Sequence, residues 1–155
     1  MATISTPSEI ETEALTTTYR VPNTKYATPE AVLKAHGIEL LNHIDDGGFA
    51  QVFKARKIRD PLVIMACKRV EIGTDNTDKT KLEDAKKELF VMEKVKHPHI
   101  VQLFEHFVIN DRLYIFMDFA DLGNLYRYLY INPMKEREAK EPFAQIVSGV
   151  AFMHS

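Results

Sequence analysis

Two charged residues occupy positions where the surrounding pattern asks for apolar ones. In Val63-Ile64-Met65-Ala66-Cys67-Lys68-Arg69-Val70, strand alternation puts Ile64, Ala66, Lys68 and Val70 on one face. Lys68 therefore joins a row of small or apolar side chains. Downstream, Glu88 lies one helical turn from both Ala85 and Met92, on the inward stripe of that segment. A lysine and a glutamate aimed at an interior need partners, and each can serve the other. Either residue alone also fits a snorkelling lysine or a rim glutamate. Taken in this order and 20 positions apart, they point to a held ammonium group able to meet an anion.

A third feature lies upstream. The stretch Ile44-Asp45-Asp46-Gly47-Gly48-Phe49-Ala50-Gln51-Val52 places adjacent glycines between two strand-like segments. Backbone N–H groups in such a loop can approach phosphate oxygens closely. Asp-Asp-Gly-Gly is also an ordinary hairpin turn, so the loop alone decides little. Lys68 follows Val52 by 16 residues, with Glu88 beyond it, and the combination is far more specific.

These residues need elements to position them. Thr28-Pro29-Glu30 supplies an N-cap, a first-turn proline and an acid, and Gly37 closes the short helix that follows. Ile38 to Ile44, Gln51 to Lys57 and Leu62 to Ile72 read as strands, with turns at 45–48 and 59–61. Thr80-Lys81-Leu82-Glu83 fits a capping box and opens a helix to about Lys96, with Leu82, Ala85, Leu89, Met92 and Val95 facing inward. His97-Pro98 ends it. Ile100 to Val108 and Leu113 to Phe119 form two more strands around Asn110-Asp111. Helices follow over Leu125 to Tyr130 and Glu136 to about His154, the latter starting near or kinking at Pro142. The order predicts an α+β fold, a twisted five-stranded antiparallel sheet with one long helix packed on it.

Composition narrows the class. The 155 residues are 45% hydrophobic and 27% charged, within the globular range. A formal charge of −2 gives no concentrated basic field for nucleic acid. The single cysteine, Cys67, excludes an intramolecular disulfide framework and a Cys-based zinc site. No apolar run reaches the roughly 18–20 residues of a membrane span, and Met1 to Ser5 lack the features of a secretion signal. A soluble, cytoplasmic protein is expected, with no nucleic-acid or membrane partner.

From about residue 31 onward the chain resembles a protein kinase. The resemblance is carried by the glycine loop, Ala66-Cys67-Lys68, Lys87-Glu88 and His97-Pro98-His99-Ile100-Val101. It continues through Leu113-Tyr114-Ile115-Phe116-Met117-Asp118-Phe119, Gly123-Asn124-Leu125, Phe143-Ala144-Gln145-Ile146 and Phe152-Met153-His154. Ala31-Val32-Leu33-Lys34 before Gly37, together with Ala50, is most similar to the testis-specific serine/threonine kinases.

The resemblance implies ATP and Mg²⁺ as cofactors and a protein Ser/Thr hydroxyl as acceptor. It implies that Lys68 contacts the α- and β-phosphates and that Glu88 holds it. Gly47, Gly48 and Phe49 become a lid over the phosphates, while Ile44, Val52 and Ala66 clamp the adenine. Met117 becomes the gatekeeper, the backbone of Asp118 and Ala120 meets the adenine edge, and Asn124 stands near the ribose. Met92 and Leu103 become part of an internal spine. The implied layout is a tail over 1–27, a short helix over 28–37, an N-lobe with hinge over 38–120 and the start of a C-lobe over 121–155.

Three departures accompany it. Asp45 replaces the usual first loop glycine. At about 6 Å and an effective dielectric near 20, its repulsion of a phosphate amounts to roughly 3 kcal/mol. Asn124 stands where an acid is common. No Asp of the chain sits in a His-Arg-Asp context, and no Asp-Phe-Gly metal site is present, so no metal ligand is assigned. The chain reads as the ATP-binding portion of a Ser/Thr kinase, inactive alone. The alternative is a kinase-like module that engages a partner protein without catalysis. A small α+β domain with a merely structural Lys68–Glu88 pair is the third reading.

Overall fold

The computed structural model describes residues 19–20, 28–46, 50–72 and 76–155. In chain order these form β1 (Tyr19–Arg20), α1 (Pro29–Ala35), β2 (Ile38–Asp46), β3 (Ala50–Lys57), β4 (Ile64–Glu71), α2 (Asn76–Lys94), β5 (Leu103–Ile109), β6 (Arg112–Asp118), α3 (Leu125–Ile131) and α4 (Glu136–Met153). One sheet has the order β1-β5-β6-β4-β3-β2. The five long strands are antiparallel, as the fold class requires, and β1 joins β5 in parallel at the edge. Tyr19–Arg20 thus add a sixth strand from within the stretch expected to be a tail. The rest of 1–27 lies outside the described residues.

Local chemistry accounts for most boundaries. Thr28 caps α1, its Oγ1 accepting from the Ala31 N–H at 3.2 Å, and Pro29 opens the first turn. Gly37 follows with φ +80°, a conformation costly for a residue with a Cβ. Asn110 and Asp111, with φ of 47° and 57°, make the two-residue turn between β5 and β6, a geometry whose twist matches the flanking strands.

One boundary differs from expectation. The long helix begins at Asn76 rather than at the Thr80 capping box, so Thr80 and Glu83 lie inside its first turns. Asn76 and Asp78 are themselves suited to a helix start, and the polar run to Lys81 carries no apolar period to mark it. Helix α4 begins at Glu136, as the sequence pattern places it, where the Glu138 Oε2 accepts from the Lys135 N–H at 2.9 Å, and it runs through Pro142 instead of starting there. The missing N–H of Pro142 strands the Glu138 carbonyl on an exposed surface, where water can serve it.

The sheet is covered on both faces. Val32 and Leu33 of α1 pack with Ile38, Ala55, Met65, Cys67, Phe107, Tyr114 and Phe116 on one side. Ala85 and Leu89 of α2 pack with Val70, Leu113 and Ile115 on the other, with Met92, Leu103 and Met117 at the margin. Expecting a single packed helix understates this arrangement. The continuous buried run Leu113-Tyr114-Ile115-Phe116 is the sequence trace of a strand covered twice.

Cys67 lies fully buried on the α1 face, and burial pushes its thiol up to about 12, against a smaller lowering by Arg69. It is inert while the fold persists. Iodoacetamide at pH 8 should modify Cys67 only after unfolding, read by intact mass. Rapid modification of the native chain would contradict this packing.

The α4 helix docks on the turn after α2. Gly149 is buried there, and a Cβ on it would lie 3.4 Å from the His99 carbonyl oxygen and from Ile100 Cγ1. His97 Nε2 meets Ser148 Oγ at 3.1 Å, and the His97 and Phe152 rings lie 5.2 Å apart. The opposite stripe is open, with Phe143 66%, Ile146 49%, Val147 48% and Val150 39% exposed. Each such side chain gains about 1.5–3 kcal/mol on full burial. The 155-residue chain should therefore self-associate and bind a hydrophobic dye, and Ile146→Glu with Val150→Glu should restore a monomer in size-exclusion chromatography. A dye-silent wild-type monomer would count against it.

Candidate functional site

Strand β4 carries Lys68 between Val52 of β3 and Ile115 of β6 in register, on the face turned to α2. Helix α2 presents Glu88 between the anchored residues Ala85 and Leu89. Lys68 Nζ donates to both Glu88 oxygens, at 2.7 and 2.6 Å. The side chains are 29% and 38% exposed, so one side of the pair faces outward. An ammonium has three donors, and two oxygens of Glu88 leave capacity for an anion arriving from that side. The carboxylate also fixes a side chain with four rotatable carbon–carbon torsions, making its charge a positioned one.

Around this pair the sheet builds a wall. Val52, opposite Lys68, is half-buried, as is Ala66, which stands in register with Lys54 and with Met117. Met117 also faces Leu103 and packs against the α2-side cluster with Met92. Ile44 is 43% exposed near the end of β2. Asp45 pairs with Val52 across the β2–β3 ladder and is exposed, so water screens its charge more than an effective dielectric of 20 implies. Gly47, Gly48 and Phe49 lie outside the described residues.

At the end of β6 the chain is tied down. The Asp118 N–H donates to the Gln102 carbonyl at 3.1 Å, and Asp118 Oδ2 accepts from the Gln102 N–H at 2.8 Å. The carbonyl of the exposed Ala120 accepts from the Gly123 N–H at 3.1 Å. Asn124 caps α3, its Oδ1 accepting from the Arg127 N–H at 2.8 Å. Its oxygen is thus committed to the helix end, and only its amide NH₂ is left to offer a ligand.

Sequence reasoning missed two contributors. Lys54 Nζ sits 4.9 Å from the centre of the Phe119 ring, linking β3 to the segment after β6. Its signal was the alternation that places Lys54 two residues from Val52 on one face. Gln102 Nε2 donates to the carbonyls of His97 and Ile100 at 3.0 and 2.7 Å, fixing the turn on which α4 rests. No spacing rule marks that residue.

Residues 38–155 match the family model described as protein kinase domain. The chain belongs to the protein kinase family. Relatives include NUAK family SNF1-like kinase 2 of Homo sapiens, 33% identical over 120 residues, or 77% of this chain and 19% of that kinase. Serine/threonine-protein kinase PLK4 of Drosophila melanogaster is 30% identical over 122 residues, or 76% of this chain and 15% of that protein. The putative CBL-interacting protein kinase 13 of Oryza sativa subsp. japonica is 31% identical over 114 residues, 72% of this chain and 22% of the relative. The chain thus spans about a fifth or less of the length of such kinases, and its own fold is that of a kinase N-lobe with two helices beyond it. Among the described residues no helix is long and apolar enough to cross a membrane, and no group of three or more His, Cys, Asp or Glu is arranged to hold a metal.

Proposed function

We propose that this chain is the ATP-binding portion of a serine/threonine protein kinase, with residues 38–120 forming its nucleotide-binding lobe and hinge. The bidentate Lys68–Glu88 pair is the observation that carries the reading. In this reading Lys68 contacts the α- and β-phosphates and Glu88 positions it. Ile44, Val52 and Ala66 enclose the adenine, with Met117 at the back. The Asp118 carbonyl and the Ala120 N–H meet the adenine edge. Gly47, Gly48 and Phe49 cover the phosphates, and Asn124 approaches the ribose through its amide NH₂. Mg²⁺ bound with the nucleotide would neutralise phosphate charge and so ease the approach of the triphosphate to Asp45.

In the intact enzyme the γ-phosphoryl passes to a protein Ser or Thr hydroxyl, and this chain alone binds without transferring. A cytoplasmic location and a kinship with the testis-specific kinases, through Ala31-Val32-Leu33-Lys34 and Ala50, belong to the same reading. A non-catalytic partner-binding module is the second reading, favoured by Asp45.

The test is thermal stability with and without Mg·ATP. A ligand at 100 times its Kd stabilises by about 2.7 kcal/mol, several degrees in melting temperature for a domain of this size. A rise that Lys68→Met abolishes supports the ATP-binding reading. A folded chain that Mg·ATP leaves unshifted favours the module.

A further inference from the structure

Strand β2 carries a bulge just before its end. His43 stands opposite Phe53 and Asp45 opposite Val52, so β2 uses one residue more than β3 over the same span. In a regular strand, residues three apart point to opposite faces. The extra residue returns Asp46 to the face of His43, and His43 Nε2 meets Asp46 Oδ1 at 3.0 Å. An ionised carboxylate only accepts, so the imidazole is the donor. The same Oδ1 accepts from Gln51 Nε2 at 3.3 Å, across the last pair of the β2–β3 ladder. Gln51 Oε1 in turn accepts from Arg69 Nη2. The Arg69 guanidinium lies 4.8 Å from the centre of the Phe53 ring, and its Nε is buried. A partly desolvated donor of this kind holds its acceptor more firmly than one in free solvent.

We propose that Arg69 is a positioning residue for the nucleotide site, fixing the end of the β2–β3 hairpin through Gln51 and Asp46. This rests on the ATP-binding reading, in which the glycines that follow Asp46 in sequence cover the phosphates. Lys68 and Arg69 are neighbours on β4 and point to opposite faces. Lys68 faces α2 and the nucleotide side, while Arg69 ties the two hairpin strands from the other side. One strand thereby sets both the ammonium group and the hairpin end. A ladder that ends beside a bulge is locally disrupted, so this line of hydrogen bonds supplies restraint that backbone pairing there does not. The two acids are also separated. Asp45 pairs with Val52 on the Lys68 face, whereas the charge of Asp46 is engaged by two donors on the opposite one. A hairpin end held in advance leaves less to be ordered on binding, and the gain falls on the phosphates instead of the adenine.

The test compares Arg69→Met and Gln51→Leu with wild type in the full 155-residue chain, by hydrogen exchange and by titration with Mg·ATP and with adenosine. Methionine at position 69 can still cover Phe53 but donates nothing. Amide exchange over residues 44–46 and 50–52 should rise about tenfold, while residues 38–40 and 55–57 at the other end of the hairpin stay unchanged. Mg·ATP affinity should fall about fivefold or more, with adenosine affinity within about twofold of wild type. The double variant should be no weaker than either single one, since both break the same line of hydrogen bonds. Unchanged exchange at the hairpin end, additive losses in the double variant, or unchanged Mg·ATP affinity beside raised exchange would each overturn the positioning role. So would equal losses for Mg·ATP and adenosine, which mark a general loosening. A wild-type chain that binds no Mg·ATP overturns the nucleotide reading itself, and the role of Arg69 falls with it.

Discussion

Lys68→Met is expected to weaken Mg·ATP binding about 10- to 150-fold while leaving the melting temperature within a few degrees of wild type. The two effects separate because they depend on different surroundings. Charge-assisted hydrogen bonds to a bound anion are worth about 1.5–3 kcal/mol, and Lys68 is the group poised to make them. The ion pair itself is part-exposed, 29% and 38% for its two side chains, so solvent screens it. Pairs of that kind contribute about 0–1 kcal/mol to stability. Isothermal titration beside thermal unfolding checks both halves. A large loss of stability with unchanged affinity would make Lys68–Glu88 a structural pair and restore the third reading of the sequence.

Leu89→Ala should instead lower stability and nucleotide binding together. Leu89 is 2% exposed and, with Ala85, anchors α2 to Val70, Leu113 and Ile115. Removing such a side chain from a packed core costs about 2–5 kcal/mol, a large share of the 5–15 kcal/mol of a typical domain. Melting should fall by about 10 °C or more. Since Glu88 is the adjacent residue, loosening the helix also frees Lys68, so Mg·ATP binding declines with stability. Urea unfolding with and without nucleotide measures both. A Leu89→Ala chain as stable as wild type would mean that α2 is not held by this face.

How much of this was legible depends on what each residue had to announce. Lys68 and Glu88 were legible because charge broke an apolar pattern on a strand and on a helix, and geometry then joined them at 2.6 Å. The strands were legible from alternation and turn residues, down to Asn110-Asp111. The start of α2 was not, because its first turns are polar and an internal Thr80–Glu83 spacing imitates a cap. The packing of α1 on the second face was not, since a helix marked at both ends does not state which surface it covers. Asn124 carried both a cap signature and a place in a motif, and the fold uses its oxygen for the cap. Lys54 over Phe119 and Gln102 across the 97–100 turn join residues whose proximity only the fold creates.

An acyl-phosphate derivative of ATP tests the central claim most directly. Its acyl carbonyl is attacked by a lysine amine lying against the phosphates, which forms an amide and releases the nucleotide. Peptide mass spectrometry on the labelled 155-residue chain should find the tag on Lys68, and excess Mg·ATP should suppress it. Labelling confined to other lysines, or labelling of Lys68 that Mg·ATP does not reduce, would contradict the assignment of this lobe as a nucleotide site.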